Sequence, residues 1–556
     1  MLIHLYLPFL AALVAATSPY APTSIDCPEG LSIRDGNTVL GTSEAAYLAG
    51  RKSKADDALR TWLEAQSPGL GGAASSMPTL ALSVSGGGWR AFLVGAGVMQ
   101  GMDGRDSDVS TSGLLQALSY HIGVSGGAWL VASWAGNNFP TISALMKDLW
   151  LEAFDNGIEL PGGWRFLAKY ADIAKDILEK EEAGYPTSLT DVWSRLLSYQ
   201  MLEGDDGGVA TRLSDVAGYS NMTEFNAPIP IINMNGVNAA AGECDPLANG
   251  TVWEANPFEF GSWDDSVSAW IPMEHLGTAA NSTECTAGFD NLGFLLGMSS
   301  NLFAYEGCIE DNPFSSVTGV LEDITEALHD ISDSTMFGRV PNPFKGFSAG
   351  GDMAAEVFAV DELYMVDGGL MTHNDPVAPL LEPARNVSVI FLSDSSSDLD
   401  NLPNGAGLVA VRDYVQNISR ISTRLPTIPD QETFLAEELY NRAVFFGCDE
   451  PETVTIVYLP NVNYTYQSNL ATEQFQYDYD VTEGVISDGV AIASQNGEEG
   501  WGLCLACGIM MKEEGVSLPE ECEACLDRWC YRDRASNATA TDVRREELSR
   551  QRYARL

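Results

Sequence analysis

Apolar residues in this chain fall into short uninterrupted runs, several of them closed by glycine. Leu80-Ala81-Leu82-Ser83-Val84 breaks at Gly86-Gly87-Gly88, and Ala91 to Met99 then continues with apolar spacing. That order predicts a strand, a glycine turn and a helix. Leu114 to Ile122 leads into Gly123-Val124-Ser125-Gly126-Gly127, followed by Ala128-Trp129-Leu130-Val131-Ala132, and repeats the pattern. Two such units in tandem predict an α/β architecture. Further on, Pro228 to Asn233 and Val387 to Leu392 read as core strands, and Tyr170 to Glu182 as an amphipathic helix. No long Pro/Ser linker, low-complexity tract or internal repeat divides the chain, so one large domain over 17–556 is the simplest partition. Its Cys-rich stretch 501–531 reads as a stapled subregion packed on the main body.

The N-terminus differs from the rest. Met1 to Ala16 is an apolar run ending in the small residues Val14-Ala15-Ala16 before Thr17-Ser18. It reads as a secretory signal peptide, 1–16, although no Lys or Arg precedes the apolar stretch. No later stretch approaches a membrane span, and the charged C-terminal segment does not read as a lipid-anchor tail. A secreted or extracellular location, with the cell wall as one destination, follows. Seven Asn-x-Ser/Thr sequons, at Asn221, Asn249, Asn281, Asn386, Asn417, Asn463 and Asn537, are compatible with that route.

Composition narrows the partners. The 556 residues are 45% hydrophobic, enough for a large core, and carry 77 acidic against 30 basic side chains, a net charge of −47. Nucleic-acid binding is excluded as a function, because phosphate contacts require clustered Lys and Arg. Docking on membranes is at most transient, and no obligate protein partner is evident. Self-repulsion at this charge falls as carboxylates protonate, which suits an acidic medium. The ten cysteines form an even set in a chain read as entering an oxidising space, so disulfides are expected. Cys504-x-x-Cys507 with Cys522-x-x-Cys525 has nearly the spacing of a four-thiolate zinc site. The oxidising compartment and a nearby fifth thiol, Cys530, favour disulfides there too.

Three segments carry candidate chemistry. Ser125 lies between glycines that permit the strained strand-to-helix turn lifting a hydroxyl clear of the backbone. Taken alone, such a serine is as often an ordinary loop feature. Ser85-Gly86-Gly87-Gly88-Trp89-Arg90 exposes successive N–H groups suited to an oxyanion hole. It lacks the Gly-Lys-Ser/Thr of a nucleotide loop, and Gly95-x-Gly97-x-x-x-Gly101 is one residue too long for a dinucleotide fingerprint. Arg90 is placed either to bind a phosphate or to pair with a carboxylate. Tyr364-Met365-Val366-Asp367-Gly368-Gly369 delivers an aspartate into a turn. A Ser-acid-His triad needs a histidine after the acid, and only His373 follows Asp367. A dyad in which Asp367 takes the proton from Ser125 directly is the better reading, and it calls for a desolvated carboxylate.

In this order the three segments resemble the fungal phospholipase B / lysophospholipase family, whose catalytic core is shared with cytosolic group IV phospholipases and, more distantly, patatin. Leu189-Thr190-Asp191-Val192-Trp193, Phe258-Glu259-Phe260-Gly261-Ser262-Trp263-Asp264 and Asp394-Ser395-Ser396 also look like family segments, as does the terminal cysteine cluster. The resemblance implies a three-layer α/β catalytic domain with a mixed central sheet. It implies a dyad of Ser125 and Asp367, an oxyanion hole at Gly86, Gly87 and Gly88 with Gly126, and phosphate binding by Arg90. The implied reaction is release of fatty acid from lysophospholipids and phospholipids, with no metal or other cofactor. Two alternatives stand beside it: a broader acyl-ester hydrolase such as a galactolipase or neutral-lipid esterase, and a secreted or cell-wall protein that keeps the fold without turnover. The chain departs from the family at Leu370, where an acidic residue is usual, and mildly at Trp89.

Overall fold

The computed structural model describes residues 18–533 except 37, 159–163, 239–249, 281, 302–336, 348–355, 371–373 and 473. Its strands are β1 (Thr23–Asp26), β2 (Arg34–Asp35), β3 (Leu80–Val84), β4 (Leu118–Val124), β5 (Ile229–Val237), β6 (Val252–Ala255) and β7 (Glu259–Ser262). They continue with β8 (Ala269–Pro272), β9 (Glu284–Ala287), β10 (Gly338–Pro341), β11 (Glu362–Val366), β12 (Val389–Asp394), β13 (Val444–Phe446) and β14 (Thr455–Pro460). Twelve form one sheet in the order β13-β14-β12-β3-β4-β5-β6-β7-β8-β2, with β11 pairing β5 and β10 pairing β11. The middle of this sheet, β14-β12-β3-β4-β5, is parallel, and antiparallel strands flank it. The expected mixed α/β sheet is therefore present.

Every residue of β3, β4, β12 and β14 is buried. Successive side chains on a strand point to opposite faces, so both faces of the central sheet are covered, as parallel strands require. Helices α1 (Thr42–Gln66), α2 (Gly88–Met102) and α3 (Gly126–Gly136) belong to this cover. Both strand-turn-helix units read from the sequence are present, with shifted edges. The first helix begins at Gly88 rather than Ala91, and the run from Leu114 splits into a short 3-10 turn, Leu115–Ala117, and β4. The helix expected over 170–182 begins earlier, at Trp164.

The cysteine-rich stretch folds as two short helices, Trp501–Met510 and Glu521–Trp529, joined by Cys504–Cys525 and Cys507–Cys522. These four thiols are thus disulfide partners, not zinc ligands. Cys448–Cys530 and a hydrogen bond from Tyr531 N to Phe445 O fasten the stretch to β13, and Cys27–Cys285 ties β1 to β9. Cys244 and Cys308 lie outside the described residues, as does the proposed signal peptide.

Candidate active site

Strand β5 brings the two key turns together. Val124, the last residue of β4, is in register with Asn233, while Val366, the last residue of β11, is in register with Asn235 of the same strand. Each neighbouring strand therefore releases its next residue, Ser125 on one side and Asp367 on the other, over the same stretch of β5. The Ser125 hydroxyl donates to Asp367 Oδ2 at 2.7 Å.

Ser125 has φ 52° and ψ −124°, a conformation rarely adopted by a residue with a side chain. Two bonds fix it there: its N–H donates to Ser299 Oγ at 3.0 Å, and its carbonyl accepts from Trp129 N in the first turn of α3. Ser299 Oγ–H in turn donates to Asn233 O at 2.6 Å, so the turn is anchored to β5 from a third side. Gly126 has to be glycine, because an added Cβ would collide with the Gly88 carbonyl.

Asp367 is 1% exposed. Burial pushes its carboxyl up to about 6, against the opposing pull of hydrogen bonds from Gly369 N and Ser125 Oγ. The Gly369 N–H reaches Oδ1 at 2.7 Å, leaving Oδ2 to the serine. Among the described residues no histidine touches this pair. His121, inside β4, is buried without a hydrogen-bond partner, and desolvation holds its ring neutral with a pKa lowered to about 3. His275 lies against Thr286 O, and His329 and His373 fall outside the described residues.

The glycine loop faces the serine turn, but not all of it is free to donate. Gly86 N–H is engaged by Asn374 O at 3.0 Å, which removes it from the expected oxyanion donors. Gly87 caps α2 with φ 140°, Gly88 opens that helix, and Gly126 opens α3. First-turn N–H groups have no partner within their own helix, so these three positions carry N–H groups without helical partners. Asn374 also sends Nδ2 to Gly86 O at 3.3 Å and to Ser396 Oγ at 2.6 Å, clamping the loop from outside.

Arg90 is engaged by oxygens of two neighbouring loops. Its side chain is fully buried in the first turns of α2, where Nε donates to Ser395 O at 2.8 Å and Nη1 to Leu470 O at 2.6 Å and Thr472 Oγ1 at 3.0 Å. These bonds use Nε and Nη1 and join α2 to two loops, while Nη2 lies beside Gly87 of the glycine loop. Sequence reasoning missed Asn374 and Ser299, since each acts through side-chain bonds to segments distant in the chain. Of the sequons, Asn386, Asn417 and Asn463 are exposed, whereas Asn221 is half-buried with its amide committed to Asn138 O at 2.8 Å. Asn249, Asn281 and Asn537 lie outside the described residues, and nothing is described of the Leu370 side chain.

Residues 80–536 match the family model described as lysophospholipase catalytic domain. A lysophospholipase of Penicillium chrysogenum is 34% identical over 96% of this chain and 93% of its own. Lysophospholipase 1 of Aspergillus fumigatus is 36% identical, covering 95% of this chain and 89% of its own. Among solved structures, human GIVD cytosolic phospholipase A2 superposes with a TM-score of 0.67 at 17% identity, over 88% of this chain and 67% of that one.

Proposed function

The chain belongs to the lysophospholipase catalytic-domain family and is a lipid ester hydrolase, and from that premise we propose that it releases fatty acid through Ser125 as nucleophile and Asp367 as base. The observation that carries the mechanism is the 2.7 Å bond from the Ser125 hydroxyl to a buried carboxylate. In the first half-reaction Ser125 Oγ attacks the ester carbonyl carbon and its proton passes to Asp367 Oδ2. The oxyanion is met by N–H groups at Gly87, Gly88 and Gly126, aided by the N-terminal ends of α2 and α3. Collapse expels the glycerol oxygen, which takes the proton from Asp367, and leaves an acyl-serine. Water then repeats the sequence with Asp367 as base, and the fatty acid leaves.

Lysophospholipids and diacyl phospholipids are the substrates we assign, met at a micelle or membrane surface. Among the described residues no helix is long and apolar enough to cross a membrane. We place the protein outside the cell; four disulfides and three exposed sequons support this. The same features, with one large core running from Tyr20 to Trp529, support reading 17–556 as one catalytic unit.

Incubation with lysophosphatidylcholine tests the mechanism: the wild type should release fatty acid and a folded Ser125→Ala variant none. Retained turnover in that variant would overturn the assignment. Arg90→Ala should slow hydrolysis of a lysophospholipid and of an uncharged monoacyl ester alike, because Arg90 holds loops. Selective loss on the phospholipid would restore the phosphate role.

A further inference from the structure

Directly behind the clamp that holds the glycine loop lie two buried carboxyl groups, Asp375 and Asp394, 1% and 0% exposed. Asp394 is close enough for its charge to act on Asp375. Neither oxygen of Asp375 receives an N–H or O–H from a described residue. Asp394, by contrast, accepts three bonds: Ser396 N at 2.9 Å and Ser396 Oγ at 2.6 Å on Oδ1, and Tyr458 OH at 2.8 Å on Oδ2. Two neighbouring buried carboxyls, one of them with no donor bonded to it, do not both stay ionised. Since Asp394 is the acceptor of every other donor there, the proton belongs on Asp375.

The pair is coupled to the active site by a short chain of bonds. Ser396 Oγ, which donates to Asp394, accepts from Asn374 Nδ2, and Asn374 holds Gly86 through both its side chain and its carbonyl. On the other side Ser395 N donates to Ser85 Oγ at 2.7 Å, next to the same glycines. We propose that Asp375 and Asp394 are positioning residues that share one proton and, through Ser396 and Asn374, hold the oxyanion loop in its catalytic place only while that proton is present. This rests on the reading of Ser125 and the glycine loop given above.

The surrounding charges explain why the proton matters. Facing the pair are Asp398, Tyr458 and Arg90. Arg90, which draws Asp394 and Asp398 downward, is the one cation among them. Burial, followed by the charges of Asp394 and Asp398, pushes Asp375 well above the usual carboxylate range. When Asp375 ionises at higher pH, two adjacent buried carboxylates repel, and the first bonds exposed to that repulsion are those of the Ser396 and Asn374 clamp. Activity then declines on the alkaline side for a reason separate from Asp367, whose ionisation sets the acid side.

The test is the pH profile of kcat on lysophosphatidylcholine. Asp375→Asn keeps a donor toward Asp394 but cannot ionise, so it should retain the wild-type rise on the acid side and lose the alkaline decline. Ser396→Ala cuts the chain beyond the pair; its kcat should fall roughly 10–100-fold with KM little changed, and lose the alkaline decline as well. A wild-type profile in a folded Asp375→Asn, or in Ser396→Ala should the first variant not fold, overturns the proposal. Ser125→Ala, assayed in parallel, separates this outcome from failure of the nucleophile assignment, because only the latter leaves that variant active.

Discussion

At the scale of single residues, the site trades stability for reactivity. In the proposed mechanism Asp367 has to be ionised to act as a base, yet burial raises it from about 4 in an unfolded chain to about 6 in the fold. A raised carboxyl contributes stability that is fully present below the unfolded value and is lost as pH rises through the folded one. At two units this is on the order of 3 kcal/mol. Two outcomes follow. In the wild type, kcat/KM should climb with pH through a midpoint of about 6. Asp367→Asn should abolish turnover yet melt no lower than the wild type at mildly alkaline pH. Its amide can still accept from Gly369 N and meet the Ser125 hydroxyl without a buried charge. Thermal melts beside the assay check this, and a marked drop in melting temperature would show that the carboxylate is structural.

At the scale of elements, the parts legible in the sequence were those built from local pattern. β3, β4, β5 and β12 announce themselves as apolar runs, and the glycine triplets mark the turns because a serine held at φ 52° needs small neighbours. What could not be read is the register that makes β5 the common template of Ser125 and Asp367. Nor could the Asn374 clamp, the Ser299 anchor or the Asp375 and Asp394 pair be read, since each depends on sheet order and on the meeting of separate segments. The same holds for the joint between α1, β4 and β6. There Arg385 reaches Glu254 at 2.8 Å and Glu44 at 3.1 Å, and Tyr120 OH donates to Glu44 at 2.9 Å, all out of contact with water. Arg385→Ala would leave two buried carboxylates without a cation, a change that costs about 3–5 kcal/mol. Chemical denaturation should show that loss at neutral pH and a smaller one in acid, where the orphaned carboxyls protonate. A loss independent of pH would mean that Arg385 acts by packing alone.

At the scale of the whole molecule, two separate effects push maximal stability toward acid. A net charge of −47 with a sequence pI near 4.2 makes the fold repel itself at neutral pH. Independently, carboxyls such as the buried Asp367 and the half-buried Asp264, both raised by desolvation to about 6, hold protons that the unfolded chain would release. Salt distinguishes them. Long-range repulsion between surface charges is screened over about 10 Å at 0.1 M ionic strength, whereas groups out of contact with water are screened far less. Calorimetry across pH should therefore show a melting temperature that falls from acid toward neutral. Added salt should raise it at neutral pH and hardly change it near the pI. A decline between about 4 and 6 should survive in high salt, because it belongs to the buried carboxyls. If salt removes the whole decline, repulsion alone sets the pH dependence, and the buried carboxyls titrate in the fold as they do in the unfolded chain. If the decline survives, the pH range in which Asp367 becomes a competent base is also the range in which the fold gives up stability.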